Sequence, residues 1–182
     1  DLKDEIIDSE LICTNCKKVF KIVSGVPVFT EDNIESKVKL TAQNFGYSWK
    51  KFSSTNKAFY KKQFFDWISP IDEKFLEGKF VLDGGCGKGH HLLMVSPFVK
   101  EAIGVDISDA AFVANENTKH LNNVHIIKAD LNNLPLKNEL FDYIYSVGVI
   151  HHTENPSQTT RSLFSKLKKE GIKISKENNS NH

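Results

Sequence analysis

The run from Val81 to Gly89 places an acid before four glycines, three of which are at alternate positions. It reads Val-Leu-Asp-Gly-Gly-Cys-Gly-Lys-Gly, so Asp83 ends an apolar stretch and Gly85, Gly87 and Gly89 follow at alternate positions. Glycine in a loop that opens a helix lets the backbone turn tightly and approach a ligand with no side chain in the way. The run therefore predicts a ligand-binding loop between a strand and a helix.

The glycine spacing disfavours a nicotinamide-dependent oxidoreductase, which is one alternative. Such an enzyme normally carries GxGxxG, whereas here the third glycine comes one residue earlier and His90 takes the expected place. The chain also offers no evident pair of residues for hydride transfer.

Acids also follow the next two apolar segments. Asp106 is suited to accept hydrogen bonds from both ribose hydroxyls of an adenosine, and Ile107 could lie against the adenine. Asp130 could offer a carboxylate to the adenine amino group. Any one of these acids could equally be an exposed loop carboxylate or a helix cap. Three acids at three consecutive strand ends, however, predict a nucleoside site.

The elements that must position these residues alternate in the rhythm of βαβ units. The predicted strands are Phe80–Leu82, Ala102–Val105, Val124–Ile127 and Tyr143–Val147. The predicted helices are His90–Ser96, Asp109–Leu121 and Pro156–Lys169, with Ser108 and Asn155 as N-caps and Gly171 ending the last helix. The pattern predicts an α/β fold with a Rossmann-like, doubly wound, mostly parallel sheet, whose ligand binds beyond the carboxyl ends of the strands.

Four motifs resemble the class I S-adenosylmethionine-dependent methyltransferases: DGGCGKG, GVDIS, ADLNNLP and FDYIYSVGVIHHTENP, in this order. The early ICTNCKKVFKIVSGVPVF and the NFGYSWKKF that follows it are similar to a bacterial methyltransferase type 11-like subgroup with a zinc-ribbon-like leader. The resemblance implies S-adenosylmethionine as cofactor and S-adenosylhomocysteine as product.

The resemblance also implies roles for individual residues. Asp83 and the backbone from Gly85 to Gly89 would face the methionine end of the cofactor, and Asp106 would hold the ribose. The remaining cofactor-binding residues would be Ile107, Asp130 and Leu131 near the adenine, and Ser146 and Gly148 on the floor of the pocket.

Two histidines after the fourth predicted strand are candidates for catalysis. His151 and His152 would lie near the methyl acceptor, and either could take a proton from it. The competing interpretation is that both are hydrogen-bonded structural residues. We expect methyl transfer to a small-molecule acceptor, such as a sugar or another metabolite; the alternative is a catalytically silent cofactor-binding or partner-docking module.

Composition bears on partners and location. The formal net charge of +1 leaves no surplus of positive field for a phosphate backbone, so no nucleic-acid partner is expected. No apolar run approaches the roughly 20 residues that cross a bilayer. The start of the chain, moreover, is polar and unlike a signal peptide. These features predict a cytoplasmic protein without a membrane partner.

Both ends of the chain depart from the family. Beyond Gly171 only a short apolar stretch and a polar tail follow, so we expect a C-terminally truncated sheet with an open edge. A structural zinc site needs four ligands and only Cys13 and Cys16 are present, so we expect no zinc unless a second ligand pair is supplied. The predicted domains are a zinc-ribbon-like β remnant (1–33), a helical cap (34–70), the cofactor-binding domain (71–175) and a tail (176–182).

Overall fold

The computed structural model describes residues 6–30 and 57–176, and the side chains of 6–30 and 60–172. In these ranges eight strands form one sheet in the order β1-β2-β3-β6-β5-β4-β7-β8. The strands are β1 (Ser9–Ile12), β2 (Val19–Val23), β3 (Val26–Val28), β4 (Phe80–Gly84), β5 (Glu101–Asp106), β6 (Val124–Lys128), β7 (Phe141–Val147) and β8 (Leu167–Lys176). The helices are α1 (Lys57–Ile68), α2 (Glu73–Leu76), α3 (His90–Val95), α4 (Ala110–Thr118) and α5 (Pro156–Lys166), with 3-10 turns at Leu131–Asn133 and Ile150–His152.

Strands β6, β5, β4, β7 and β8 are parallel neighbours. The order reverses at β4, because the strand that follows it along the chain lies on one side and β7 lies on the other. The predicted doubly wound, mostly parallel sheet is therefore confirmed. Its switch in strand order is at the end of β4, which is where such sheets bind ligands.

Apolar residues cover both faces of the sheet, and the alternation along β4 assigns its side chains to two layers. Val81 belongs to the layer that contains Phe64 of α1, whereas Leu82 belongs to the layer that contains Leu163 of α5. Asp83 is two residues after Val81 and so shares its face. That carboxyl group therefore points into an apolar layer between the sheet and helices α1 and α3.

The N-terminal β unit extends the same sheet. Strand β3 joins β6 in parallel at Val28 and Lys128, and the N–H of Phe29 donates to the Lys128 carbonyl at 2.8 Å. Val26 is fully buried in the main core. Strands β1 to β3 thus form a small β unit that covers the edge of β6, which would otherwise be open.

The end of the last helix was predicted wrongly. Helix α5 stops at Lys166 instead of Lys169, and Gly171 lies inside β8 instead of ending the helix. The pairing of β7 with β8 shifts between Leu167 and Ile172, as at a β-bulge. A side chain at Gly171 would come within 3.0 Å of the Asp142 carbonyl, so the bulge needs a glycine there.

Some predicted features lie outside the described residues: the N-terminal half of the helical cap (34–56), with its aromatic run, and the tail from residue 177 onwards. Among the residues that the structure does describe, no helix is long and apolar enough to cross a membrane.

Candidate functional site

The glycine loop after β4 turns tightly through left-handed backbone at three glycines. Gly85, Gly87 and Gly89 have φ values of 87°, 53° and 81°. A Cβ at Gly85 would lie 2.4 Å from a methyl carbon of Val149, so this position is closed to any side chain. A Cβ at Gly87 would meet nothing within 4 Å. The loop is thus packed at its first glycine and open at its second.

Asp106 at the end of β5 ties the glycine loop to its own strand end. One carboxylate oxygen accepts from the Gly87 N–H at 2.9 Å, and the other accepts from the N–H of Ser108 at 2.9 Å and from its hydroxyl at 2.7 Å. Each carboxylate oxygen can accept more than one hydrogen bond, so Asp106 keeps capacity for ligand hydroxyls. The structure thus brings together the glycine loop and the acid predicted to hold a ribose.

Asp130 caps the 3-10 turn that follows β6. Its Oδ1 accepts from the backbone and side-chain nitrogens of Asn132 at 2.8 and 3.0 Å. Leu131 is buried, whereas Ile107 is half-buried. Because the Ala129 N–H donates to the Asp106 carbonyl at 3.0 Å, the ends of β5 and β6 are adjacent.

Ser146 and Gly148 lie at and just beyond the end of β7. The Ser146 side chain is fully buried, and its hydroxyl donates to the Gly84 carbonyl at 2.7 Å. It lies on the face opposite Asp83 because it is in phase with Ile144, the aligned partner of Leu82. Gly148 has a φ of 71°. Ser146 therefore fastens the end of β7 to the end of β4, underneath the glycine loop.

Asp83 is a buried residue of this site whose pKa is strongly raised. Its side chain is 1% exposed, and Oδ2 has no hydrogen-bond partner. Burial raises the pKa of Asp83 to about 8; the hydroxyl of Tyr145 counteracts this effect, and the negative charge of Asp106 adds to it. The protein therefore holds a carboxyl group at the ligand end of β4 that stays largely protonated at neutral pH.

Sequence reasoning missed the aromatic surroundings of Asp83. Tyr143 and Tyr145 are fully buried, and neither hydroxyl has a hydrogen-bond partner. The ring of His91 stacks on Phe64 at 4.7 Å, and burial lowers the pKa of His91 to about 4, with the neighbouring His90 acting in the same direction. The available signal was two tyrosines at alternate positions of the same strand, Tyr143 and Tyr145 of β7.

His151 and His152 form the 3-10 turn beyond β7, where both are exposed. Their rings lie 3.8 Å apart. Val149, which precedes this turn, packs against Gly85, so the two histidines follow a segment in contact with the glycine loop. Their assignment to catalysis stays a prediction.

The three cysteines lie in two different settings. Cys13 and Cys16 occupy the turn between β1 and β2, and both thiols are free. Hydrogen bonds from the backbone of Cys16 and Asn15 lower the pKa of Cys13. No cluster of three metal-binding side chains occurs in residues 6–30 and 57–176. Cys86 is buried in the glycine loop, where burial raises the pKa of its thiol.

Comparison with known proteins identifies this strand-end arrangement. The family model described as "Methyltransferase domain" matches residues 82–174, which make up just over half of the chain. The chain belongs to the class I S-adenosylmethionine-dependent methyltransferases. The matched region contains all the predicted cofactor-site residues. Its membership of a family that depends on S-adenosylmethionine implies this cofactor for the chain.

Solved structures agree with this methyltransferase fold. The YcgJ protein from Bacillus subtilis is 32% identical, with a TM-score of 0.52 over 54% of this chain and 43% of that one. The PH0226 protein from Pyrococcus horikoshii is 29% identical, with a TM-score of 0.54 over 64% of this chain and 57% of that one.

Curated relatives overturn the predicted partner. Proteins named tRNA U34 carboxymethyltransferase from Pseudoalteromonas atlantica and Aeromonas hydrophila are each 34% identical over 53% of this chain. The prediction of a small-molecule acceptor and no nucleic-acid partner is contradicted by these names. The methyltransferase matches only 31% of the length of either relative. Its net charge therefore says little about the charge of a whole relative, which is why the composition argument failed.

The residues at the strand ends fit the cofactor that the family implies. Asp83 has a buried carboxylate oxygen without a partner, which suits a cationic amino group. The open side of Gly87 leaves room for a ligand against the backbone. Asp106 retains acceptor capacity for hydroxyl groups. These three observations come from three separate positions around one loop.

Proposed function

We propose that this methyltransferase modifies an RNA, and that a transfer RNA is its acceptor. The proposal rests on the relatives named tRNA U34 carboxymethyltransferase, which are 34% identical to this chain over about half of its length. Transfer of a methyl group is the activity of the family. Transfer of a carboxymethyl group is the second candidate, because the names of these relatives favour it.

The cofactor would lie across the ends of β4, β5 and β6. Asp83 and the backbone from Gly85 to Gly89 would hold the amino-acid end, and Asp106 would accept from the ribose hydroxyls. The adenine would lie near Ile107, Asp130 and Leu131, with Ser146 and Gly148 supporting the loop from below. S-adenosylmethionine supplies, when bound, a methyl group on a sulfonium that is already a good leaving group.

The chain's own contribution to the reaction would be alignment and proton transfer. Holding the reacting groups in line lowers the barrier by up to roughly 7–11 kcal/mol. The exposed rings of His151 and His152 would face the acceptor, where either could accept a proton or stack on an exposed base. Asn155, which caps α5 by accepting from the Gln158 N–H at 3.0 Å, would help to fix the segment that follows the two histidines.

We also propose a division of the chain into functional parts. Residues 71–175 would form the cofactor-binding domain, preceded by the β unit of residues 1–33 and a helical cap of residues 34–70. Zinc is not expected in this chain. The β unit would support β6, which leads to Asp130, through the pairing of β3 with Lys128.

Thermal unfolding with added ligands tests the cofactor assignment. A ligand at a hundred times its dissociation constant stabilises a protein by about 2.7 kcal/mol. S-adenosylmethionine and S-adenosylhomocysteine should raise the melting temperature, and NAD should not. Asp106→Ala should abolish the shift; an equal shift in this variant would move the cofactor to another place.

Transfer of label to RNA tests the acceptor. Purified protein would be incubated with methyl-labelled S-adenosylmethionine and unmodified transfer RNA, and the labelled nucleoside would be identified by mass spectrometry. We expect label in RNA from the wild type and none from Asp106→Ala. His151→Ala and His152→Ala, measured separately, would show which ring contributes. Label in a metabolite extract but not in RNA would contradict the proposed acceptor.

A further inference from the structure

Three polar atoms without partners lie close together beneath the glycine loop. They are Oδ2 of Asp83 and the hydroxyl oxygens of Tyr143 and Tyr145. Buried polar groups in native proteins are nearly always hydrogen-bonded, because an unpaired one destabilises the fold. We therefore expect a bound ligand, or a change in the protonation of these groups, to provide the missing hydrogen bonds.

The register of the sheet places two of these groups side by side. Asp83 of β4 and Tyr145 of β7 are aligned partners on neighbouring parallel strands, so their side chains share one face. The Tyr145 hydroxyl lies near enough to the Asp83 carboxyl group to lower its pKa. The geometry of a full hydrogen bond is nevertheless not reached, so the Tyr145 hydroxyl and Oδ2 of Asp83 both remain without a partner. Tyr143 is aligned with Val81 instead, and its ring lies 5.8 Å from that of Tyr145.

Among the side chains that the structure describes, none that faces Asp83 is a cation. From β5 it faces the carboxylate of Asp106, and from its own loop the thiol of Cys86. From β7 it faces Tyr143 and Tyr145. From helices α3 and α1 come rings that contact Tyr145: His91 at 6.3 Å and Phe64 at 5.3 Å. His91 is the one basic group among these described neighbours, and burial keeps it uncharged at neutral pH.

We propose that Tyr145 is a positioning residue that donates a hydrogen bond to ionised Asp83, so that binding of the cofactor's ammonium group is coupled to loss of the Asp83 proton. This inference rests on the proposed cofactor site. The proton balance is simple: the Asp83 carboxyl releases one proton to bulk water, and the carboxylate is left between the tyrosine hydroxyl and the ligand cation. A charged acceptor with two donors is the arrangement that makes burial of a carboxylate tolerable.

The test is titration calorimetry of the purified protein with S-adenosylhomocysteine. Working at pH 6.5 keeps the ligand's amino group cationic, since α-amino groups have pKa values of about 7.7–8.0. Two buffers with different enthalpies of ionisation report the number of protons released. We expect close to one proton released by the wild type and none by Asp83→Asn. Affinity of the wild type should rise by up to about tenfold per pH unit between pH 6 and 7.

Tyr145→Phe separates positioning from packing. The variant should weaken binding of S-adenosylhomocysteine at least tenfold, while the unliganded protein melts at the same or a higher temperature because an unpaired hydroxyl has been removed. Tyr143→Phe is the matched control: it removes the same group from the same strand and face but is not aligned with Asp83. Its affinity should stay within about threefold of the wild type, a change of under 1 kcal/mol.

Each outcome bears on a different claim. Wild-type affinity and proton release in Tyr145→Phe would overturn the role of Tyr145, and so would equal losses in both tyrosine variants. Proton release that persists in Asp83→Asn would assign the coupling to another group and overturn the inference. Absence of any binding by the wild type would instead overturn the proposed cofactor site.

Discussion

Asp83 and Asp106 are two aspartates near the carboxyl ends of the neighbouring strands β4 and β5, yet the protein treats them in opposite ways. Asp106 accepts three hydrogen bonds, from Gly87 and Ser108, and so holds the glycine loop. Asp83 is buried against aromatic rings with one oxygen unpaired. One carboxylate therefore holds the loop in place through its hydrogen bonds, whereas the other keeps a buried oxygen without a partner.

Replacing Asp106 should lower the stability of the protein more than replacing Asp83. Asp106→Ala removes three hydrogen bonds to a carboxylate, and hydrogen bonds to charged groups contribute about 1.5–3 kcal/mol each when counted singly. We expect a loss of about 3 kcal/mol in the free energy of unfolding, measured by urea denaturation at pH 7. Asp83→Asn should not cause a comparable loss at that pH. Equal losses in the free energy of unfolding of the two variants would contradict the different roles of Asp106 and Asp83.

Local patterns predicted the elements on which this comparison rests. The glycine spacing of Gly85, Gly87 and Gly89, and the apolar runs of β4 to β7, are properties of short segments, and the structure has them. Gly171 was misassigned because a glycine after a polar helix end resembles a helix stop. Only the pairing of β8 with β7, and the nearness of the Asp142 carbonyl, make it a bulge residue.

Features that depend on distant pairings were not predictable from the sequence. The contact of Val28 with Lys128 joins residues a hundred positions apart, so no local pattern reports it. The environment of Asp83 likewise depends on α1, which places Phe64 against His91 and Tyr145. A tyrosine in an apolar strand is compatible with a satisfied or an unsatisfied hydroxyl, and only the packing decides.

The next prediction concerns the stability that depends on His91, the buried histidine that packs against Phe64 and Tyr145. Burial lowers the pKa of His91 to about 4, below its unfolded value of 6.5, so the stability that depends on neutral His91 is complete above pH 6.5 and is lost as the pH falls. Between pH 7 and pH 5 this loss amounts to about 2 kcal/mol. His91→Phe keeps a ring against Phe64 and should remove that loss.

The measurement is urea unfolding of both proteins at pH 5 and at pH 7. If the free energy of unfolding falls equally between pH 7 and pH 5 in the wild type and in His91→Phe, burial does not lower the pKa of His91. The His91→Phe variant also helps to isolate the effect of Asp83. As the pH rises from 4 to 6.5, ionisation of Asp83 in the unfolded state lowers the free energy of unfolding, whereas the effect of His91 raises it, so each effect would hide the other.

Asp83 itself should govern stability at slightly alkaline pH. Its folded pKa of about 8 lies above the unfolded value of 3.8, so its stabilising effect is complete at low pH and is lost as the pH rises through 8. Between pH 6.5 and 8 the wild type should lose about 1.5 kcal/mol, and Asp83→Asn should lose none of this. Urea unfolding at intervals of half a pH unit would measure this loss in the free energy of unfolding.

A second carboxylate supplies the control for that titration. Burial raises the pKa of Asp142, but hydrogen bonds from Lys168 and from the Phe80 N–H outweigh burial and lower it overall. Asp142→Asn should therefore keep the wild-type slope between pH 6.5 and 8. A flattened slope in this variant would mean that the titration does not belong to Asp83.

The smallest effect tests whether the open side of the loop receives a ligand. Gly87 has a φ of 53°, and a Cβ at this position would have no neighbour within 4 Å. Gly87→Ala should therefore destabilise the protein only through backbone strain, by about 1 kcal/mol. Gly78, in the turn before β4, has a φ of 68° and equally open space, which makes Gly78→Ala a matched control. Both variants should lose similar stability in urea unfolding. Only Gly87→Ala should weaken S-adenosylhomocysteine in calorimetry, because only its methyl group would occupy the space beside Asp106; equal affinities would place the ligand away from this loop.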